Sequence, residues 1–444
     1  MKYIKEIHSL LFSVLALVVL FVLHHLPFNQ LFIDPFSEAI KNHDLMDVAF
    51  SRFRTHTDPS LFDDRVLIIN SGVTDRAKIA ATISYLNQKQ IAGIGIDIRL
   101  DSNHQETADT LLQRAIQQSG KVVLGYFFRE KAEGIEKDSV VPPSAFFQQS
   151  ATNGYVNLAS NDRFSVRAFE PTHKFDDKEG VSFALALASK ADPTIETALK
   201  QRAHEKEWIN FRRIQPGLRS MEYPINSDQV THYVLVNIDQ FLRDTSSFQQ
   251  DYLKNKIILI GFCGEDDGAF SMNDRWFTPL NEQSTGRSLP DMHGVVVHAN
   301  IISMLLDKDF VDDVSGTSVY LISFLLFLMN YWIFKRILQR HYFLVVPLIR
   351  LVQLLQFVLL FTLCVLLLVH WNTKLSFVTV ITAVILSFEL YEFYVHKVRN
   401  WLDPKLHQFF ERLYRQKMEL KRRIRNYIVT IKLRKRLKSK EQKN

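Results

Sequence analysis

"RVLIINSGVTDRAKIAATISYLNQKQIAGIGIDI", Arg65 to Ile98, decides the fold. It opens on "RVLIIN" (Arg65–Asn70), a short, apolar, β-branched run of the kind that makes a buried strand. "DRAKIAATISYLNQKQ" follows, with Ile79, Ile83 and Leu86 on one helical face. "IAGIGIDI" (Ile91–Ile98) then reads as a second strand. Strand, helix and strand in succession predict a parallel sheet with helices on its faces.

The pattern extends outward. "ETADTLLQRAIQQSG" is a helix that Gly120 ends as a C′ glycine, and "KVVLGYF" is a third strand. Later come "SFALALAS" as a helix, then "EWINFRR", "NKIILIGF" and "HGVVVHA" as strands, and "NIISMLL" as a helix. The stretches between, such as "REKAEGIEKDSVVPP", are loop-rich, and no internal repeat is visible.

Beyond this middle region the apolar residues concentrate. The chain has 444 residues, 47% of them hydrophobic, enough for two or three domains. The first apolar run is "LLFSVLALVVLFVL" (Leu10–Leu23). No small-residue cleavage site of the A-x-A type follows it, so it reads as an uncleaved anchor rather than a signal peptide. Three more runs, Val319–Phe334, Leu351–Val369 and Leu375–Val395, each approach the ~20 residues that cross a hydrocarbon core. Lys2 and Lys5 precede the first run; Lys335, Arg336, Arg340 and Arg350 separate the second from the third; a basic tail follows the fourth. With four spans all these clusters share one side, which the positive-inside rule assigns to the cytoplasm. The segment plan is then 1–9 cytoplasmic, 10–26 spanning, 27–317 outside, and 318–336, 345–370 and 375–396 spanning, with 397–444 a cytoplasmic tail. Trp332 and Trp371 sit near span ends, where aromatic belts form, and Arg350 and Gln353 read as interface residues.

The net charge of +7 is unevenly spread. Residues 397–444 hold 17 Lys/Arg against 4 Asp/Glu, a surplus of 13, so the rest of the chain carries a net −6. Leu402, Leu406, Phe409 and Leu413, then Leu420, Ile424, Tyr427 and Ile431, recur at helical spacing in this tail. A basic amphipathic helix on anionic lipid headgroups, a coiled coil that forms a homodimer or docks a partner, and a nucleic-acid contact are the three readings. Lipid and partner contact together fit best, and no DNA-reading fold is visible. Of the two cysteines, Cys364 lies in an apolar run, so no disulfide with Cys263 is expected.

Several blocks, in order, resemble the type-2 CHASE domain, an extracytoplasmic sensory module associated with cyclases and histidine kinases. "RVLIIN", "IAGIGIDIRL" with "ADTLLQRAIQQSGKVVLG", "VSFALALA", "NKIILIGFCGEDDGAF" with "WFTPL", and "MHGVVVHANIISMLL" carry the resemblance, over roughly Phe32 to Phe310. Three spans after the domain also suit that layout. The resemblance implies an α/β sensor domain with a mainly parallel sheet, four transmembrane helices and a basic helical cytoplasmic tail, in a bacterial inner membrane. It also implies an output domain after the last span, where about 48 residues stand here. The sequence departs from the family in "NSGV" after the first strand, where acidic residues are frequent, and in Arg99 after Ile98. Signalling through a separate, unidentified effector protein is therefore expected. A non-sensing membrane scaffold and a periplasmic enzyme are the alternatives.

The crevice at the C-terminal ends of parallel strands is the default ligand site. Asp97, Cys263, Glu265 and His298 are its candidate lining. A nucleophilic Cys263 needs a base, for which His298 is conceivable, against the simpler reading of a small buried thiol. "IGFCGEDDG" matches neither the dinucleotide fingerprint nor the P-loop. His293 and His298, five apart on one strand, point to opposite faces and are not expected to share a metal; no cofactor is expected, and no nucleophile–base–orienter set can be assembled from the sequence. Gly294, Asn300 and Leu306 are candidates for passing movement from the domain's last packed element to the second span.

Overall fold

A computed structural model describes residues 2–25, 44–53, 63–73, 75–100, 107–129, 139–148, 151–158, 165–175, 178–212, 233–264, 272–281, 289–340 and 344–441. The chain divides into two compact units, an α/β unit of 28–313 with 362–375, and a helical unit from the remainder.

The α/β unit is built on a mostly parallel sheet. Its strands are β1 (Val66–Asn70), β2 (Gly93–Asp97), β3 (Val122–Arg129), β4 (Ser139–Val141), β5 (Thr152–Tyr155), β6 (Val234–Asn237) and β7 (Ile257–Gly261). The path runs β6-β1-β7-β2-β3, all parallel; β3 then pairs in parallel with β5 and antiparallel with β4. β7 therefore lies between β1 and β2, with Asn70 level with Gly261 and Gly261 level with Asp97. Every residue of β1 and of β7 is buried, as a sheet covered on both faces requires.

Helices α2 (Arg76–Asn87) and α3 (Thr107–Ser119) cover one face, and α4 (Phe183–Ala191) and α5 (Gly294–Asp307) the other; α1 (Lys2–His25) belongs to the helical unit. Ile79, Ile83 and Leu86 on α2 and Leu112 and Ile116 on α3 join Leu67, Ile69, Ile94, Ile96, Ile258 and Ile260 in one core cluster. The expected face of α2 is thus the buried one. Asp75 caps α2 by accepting from Ala77 N at 2.9 Å. Gly120 ends α3 at φ +61°, as the C′ glycine reading requires. On the opposite face Gly95 lets α4 approach: a Cβ there would lie 2.5 Å from Leu187 and 2.7 Å from Phe183.

Two expected strands are corrected. "HGVVVHA" is helical from Gly294, and only Met292–His293 (β9) is extended, paired antiparallel with Arg275–Trp276 (β8). α5 is buried from Gly294 to Leu305, so its apolar residues run all round and leave no helical periodicity to read. "EWINFRR" keeps only Glu207–Trp208 as strand, paired with Ala168–Phe169. His293 and His298 therefore do not oppose each other on a strand: His293 precedes α5 and His298 lies inside it.

The helical unit contains α1, α6 (Gly316–Arg340), α7 from Val345 to Phe361, α8 (Phe377–Phe393) and α9 (Asn400–Glu441); α7 as a whole runs Val345–Trp371. Among the described residues four helices are long and apolar enough to cross a membrane. Phe12, Phe327, Tyr331, Phe334, Phe388 and Tyr391 are among the aromatic and aliphatic side chains of its core. Gln353 is buried in this bundle rather than at its rim, donating to Val384 O at 2.8 Å. Arg350 pairs with Glu389 at 2.8 Å. Asn330 donates to Ser387 Oγ at 3.1 Å and accepts from Gln356 Nε2 at 2.6 Å. α9 is exposed along most of its described side chains, including Phe409, Leu413, Leu420, Ile424 and Tyr427.

The segment joining α7 to α8 belongs to the α/β unit. Thr373–Lys374 (β11) pairs in parallel with Asp312–Asp313 (β10). Asn372 donates to Asp309 at 2.6 Å, and Lys374 reaches Asp44 at 2.9 Å with its ammonium 3.3 Å from the centre of the Trp208 ring. Both cysteines are free and buried.

Candidate functional site

At the C-terminal ends of β1, β7 and β2, beside Gly125–Phe127 of β3, lies a cavity of about 400 Å³. Strand ends meet here because the strands are parallel and in register, so Asn70, Asp97 and Gly261 stop level with one another. Asn70 fixes the geometry. Its carbonyl accepts from Gly72 N at 3.1 Å and Cys263 N at 2.8 Å, and its amide donates to Gly264 O and to Asn237 Oδ1, both at 3.1 Å. One buried amide thus ties the segments after β1 and β7 and the end of β6.

Asp97, Asp274, Arg99, Tyr126, Phe127 and Phe262 give the cavity its chemistry, with Ser71 and Asn273 adding polar edges. Desolvation, then the charge of Asp274, pushes the Asp97 carboxyl up to about 8. Desolvation also raises Asp274, to about 6. Among the described residues the Asp97 carboxylate has no hydrogen bond or ion pair. Asp274 sits at φ +52°, and its backbone carbonyl accepts from Gly294 N at 3.0 Å. A Cβ on Gly294 would lie 2.9 Å from both Asp274 carboxylate oxygens, so the glycine lets the start of α5 close against this carboxylate. The Arg99 guanidinium lies over the Phe127 ring at 5.0 Å.

Of the four expected lining residues, Asp97 faces the cavity. Cys263 is buried beside it, and burial, with the Asp274 and Asp97 charges, raises its thiol. His298 lies in the core against Phe183 at 5.3 Å between ring centres, bonded to the Val156 backbone. Burial lowers it to about 4, so it is neutral. Glu265 lies outside the described residues. His293 is also lowered to about 4, by desolvation and then the Arg275 charge, and its ring meets Arg275 Nε at 3.3 Å. Among the described residues no three His, Cys, Asp or Glu side chains gather as a metal site.

Of the candidate transmission residues, Gly294 touches the cavity loop through Asp274. Asn300 is buried, donating to Val296 O at 2.9 Å and accepting from Arg212 N at 3.0 Å. Leu306 is half-buried at the end of α5. Next to it Asp307 holds Arg65 at 2.6 Å and also pairs with Arg212.

Reading the sequence alone passed over Asn70, Asp274, Tyr126 and Phe262. A polar residue closing an apolar strand was the available signal for Asn70. Nothing local marks Asp274, which the β8–β9 hairpin delivers from a loop.

A family model described as the CHASE2 domain matches residues 35–334. No curated protein and no solved structure matches the chain.

Proposed function

The chain belongs to the CHASE2 domain family, whose domains are extracytoplasmic sensory modules, and from that premise we propose that it is a ligand sensor of a bacterial inner membrane. In this reading residues 27–317 face the periplasm and both termini the cytoplasm. The cavity at the end of the sheet receives the ligand, and a separate effector protein meets the tail. The cavity is the observation that carries the reading: a concave site of about 400 Å³, with aromatic walls and a few charged groups, suits a small molecule.

A ligand shifts such a protein only by binding two of its states unequally. The end of α5 continues through β10 into α6, and β11 continues into α8. The chain therefore passes between the α/β unit and the apolar helices at four points, after residues 27, 313, 361 and 375, where the sequence suggested one route for the signal. The exposed apolar and basic side chains of α9 suit an effector, a second copy or anionic lipid headgroups, each Lys or Arg near such a surface adding ~1 kcal/mol. Nucleic acid is not an expected partner. The reading is of a sensor rather than an enzyme: a raised, buried Cys263 thiol is the opposite of an activated nucleophile.

Affinity capture from mild detergent tests it, using the full chain, a chain ending at residue 399, and Asn273→Trp, which fills the cavity from its rim. The sensor reading expects a partner that is lost with residues 400–444 and whose recovery changes in the cavity variant. Equal recovery with an open or filled cavity would favour the scaffold instead.

A further inference from the structure

We propose that the cavity recognises a small organic ligand through a protonated amine, held by the Asp97 carboxylate with Asp274 beside it and Tyr126 and Phe262 as its aromatic wall. The proposal deepens the sensor reading and rests on it.

Three observations combine. First, Asp97 closes a central strand and faces a cavity, yet its carboxylate has no hydrogen bond or ion pair among the described residues. A carboxylate in such a place is costly unless a cation joins it. Second, Asp274 lines the same cavity, and the two acids repel each other, which an arriving positive charge would relieve. Third, Tyr126 and Phe262 also line it, and aromatic faces attract organic cations. A purely anionic ligand would meet Arg99 but also both acids. Calcium and magnesium prefer six or more oxygen ligands, more than the two carboxylates with Ser71 and Asn273 supply. Arg99, stacked on Phe127, lines the same cavity, where a carboxylate on an amine-bearing ligand would find it. The volume limits the ligand to a small molecule.

Among the described residues, Asp274 from the segment before β8, Arg99 after β2 and Tyr126 on β3 line the cavity with Asp97, and Cys263 after β7 lies within reach of its charge. Below about pH 8 the Asp97 carboxyl holds a proton that an ammonium must displace. Amine affinity should therefore rise by up to ~tenfold per pH unit toward pH 8 and then level off, since an alkyl amine stays protonated throughout.

The test is calorimetric titration of the full chain in lipid nanodiscs with three probes of one shape, 2-phenylethylamine, 2-phenylethanol and 3-phenylpropionate, and with calcium chloride. The expected result is binding of the amine at least ~tenfold tighter than the alcohol, strengthening from pH 6 to pH 8. Asp97→Asn should abolish that preference and Asp274→Asn reduce it, with melting curves confirming that both variants fold. Equal binding of the alcohol or the acid, an amine preference that survives Asp97→Asn, binding of calcium alone, or no binding by any probe would each overturn the proposal. Binding of the alcohol or the acid would leave the sensor reading standing, whereas that reading fails by its own capture experiment.

Discussion

Asp97 is where the fold and the proposed function pull against each other. An unfolded aspartate ionises near pH 4, whereas in the fold this one ionises at about 8. Between these values the folded chain keeps a proton that the unfolded chain has lost, so stability is full below about pH 4 and falls as pH rises toward 8. Asp274, raised to about 6, acts in the same direction over a narrower range. Asp97→Asn removes the larger effect. Its melting temperature should match the parent near pH 4 and exceed it at pH 8 by roughly 3–6 °C, read by circular dichroism in detergent. A variant less stable at pH 8 would mean that Asp97 has a stabilising cation partner in the unliganded protein. Asp97 was legible because it ends a strand whose apolar run is unmistakable. Asp274 was not, because its place depends on a tertiary contact with Gly294.

Among the elements, those with clear period or composition were readable, and those set by burial or pairing were not. β1, β2, β3 and β7 stand out as short β-branched runs, and α2 shows its buried face in Ile79, Ile83 and Leu86. α5 reads as a strand because Val295, Val296 and Val297 are all buried, which erases the helical stripe. The insertion of β7 between β1 and β2 cannot be seen locally, since pairing of residues so far apart in sequence leaves no periodic trace. The β10–β11 pair is of the same kind: two residues from each side of a long sequence gap, locked by Lys374. That lysine is largely buried, ion-paired with Asp44 and stacked on Trp208. Lys374→Ala should cost about 1–2 kcal/mol and speed hydrogen exchange at Asp312 and Asp313, with little change in β1 or β7. Unchanged exchange at Asp312–Asp313 would remove β11 from the proposed route into α8.

For the whole molecule, the distribution of charge and hydropathy was the most legible feature, because it needs no pairing information. Four apolar helices, a net −6 outside the tail and +13 within it frame a sensory unit and a basic helix. Family membership identifies the sensory unit, and its sidedness is the central claim of the sensor reading. Single-cysteine labelling addresses it directly, since Cys263 and Cys364 are buried. Val73 is 80% exposed beside the cavity and Tyr427 is 70% exposed on α9. Cells with a permeabilised outer membrane would be treated with a membrane-impermeant maleimide. The account expects Val73→Cys to react in such cells and Tyr427→Cys to react only after lysis. Labelling of Tyr427→Cys from outside, or protection of Val73→Cys until lysis, would contradict it.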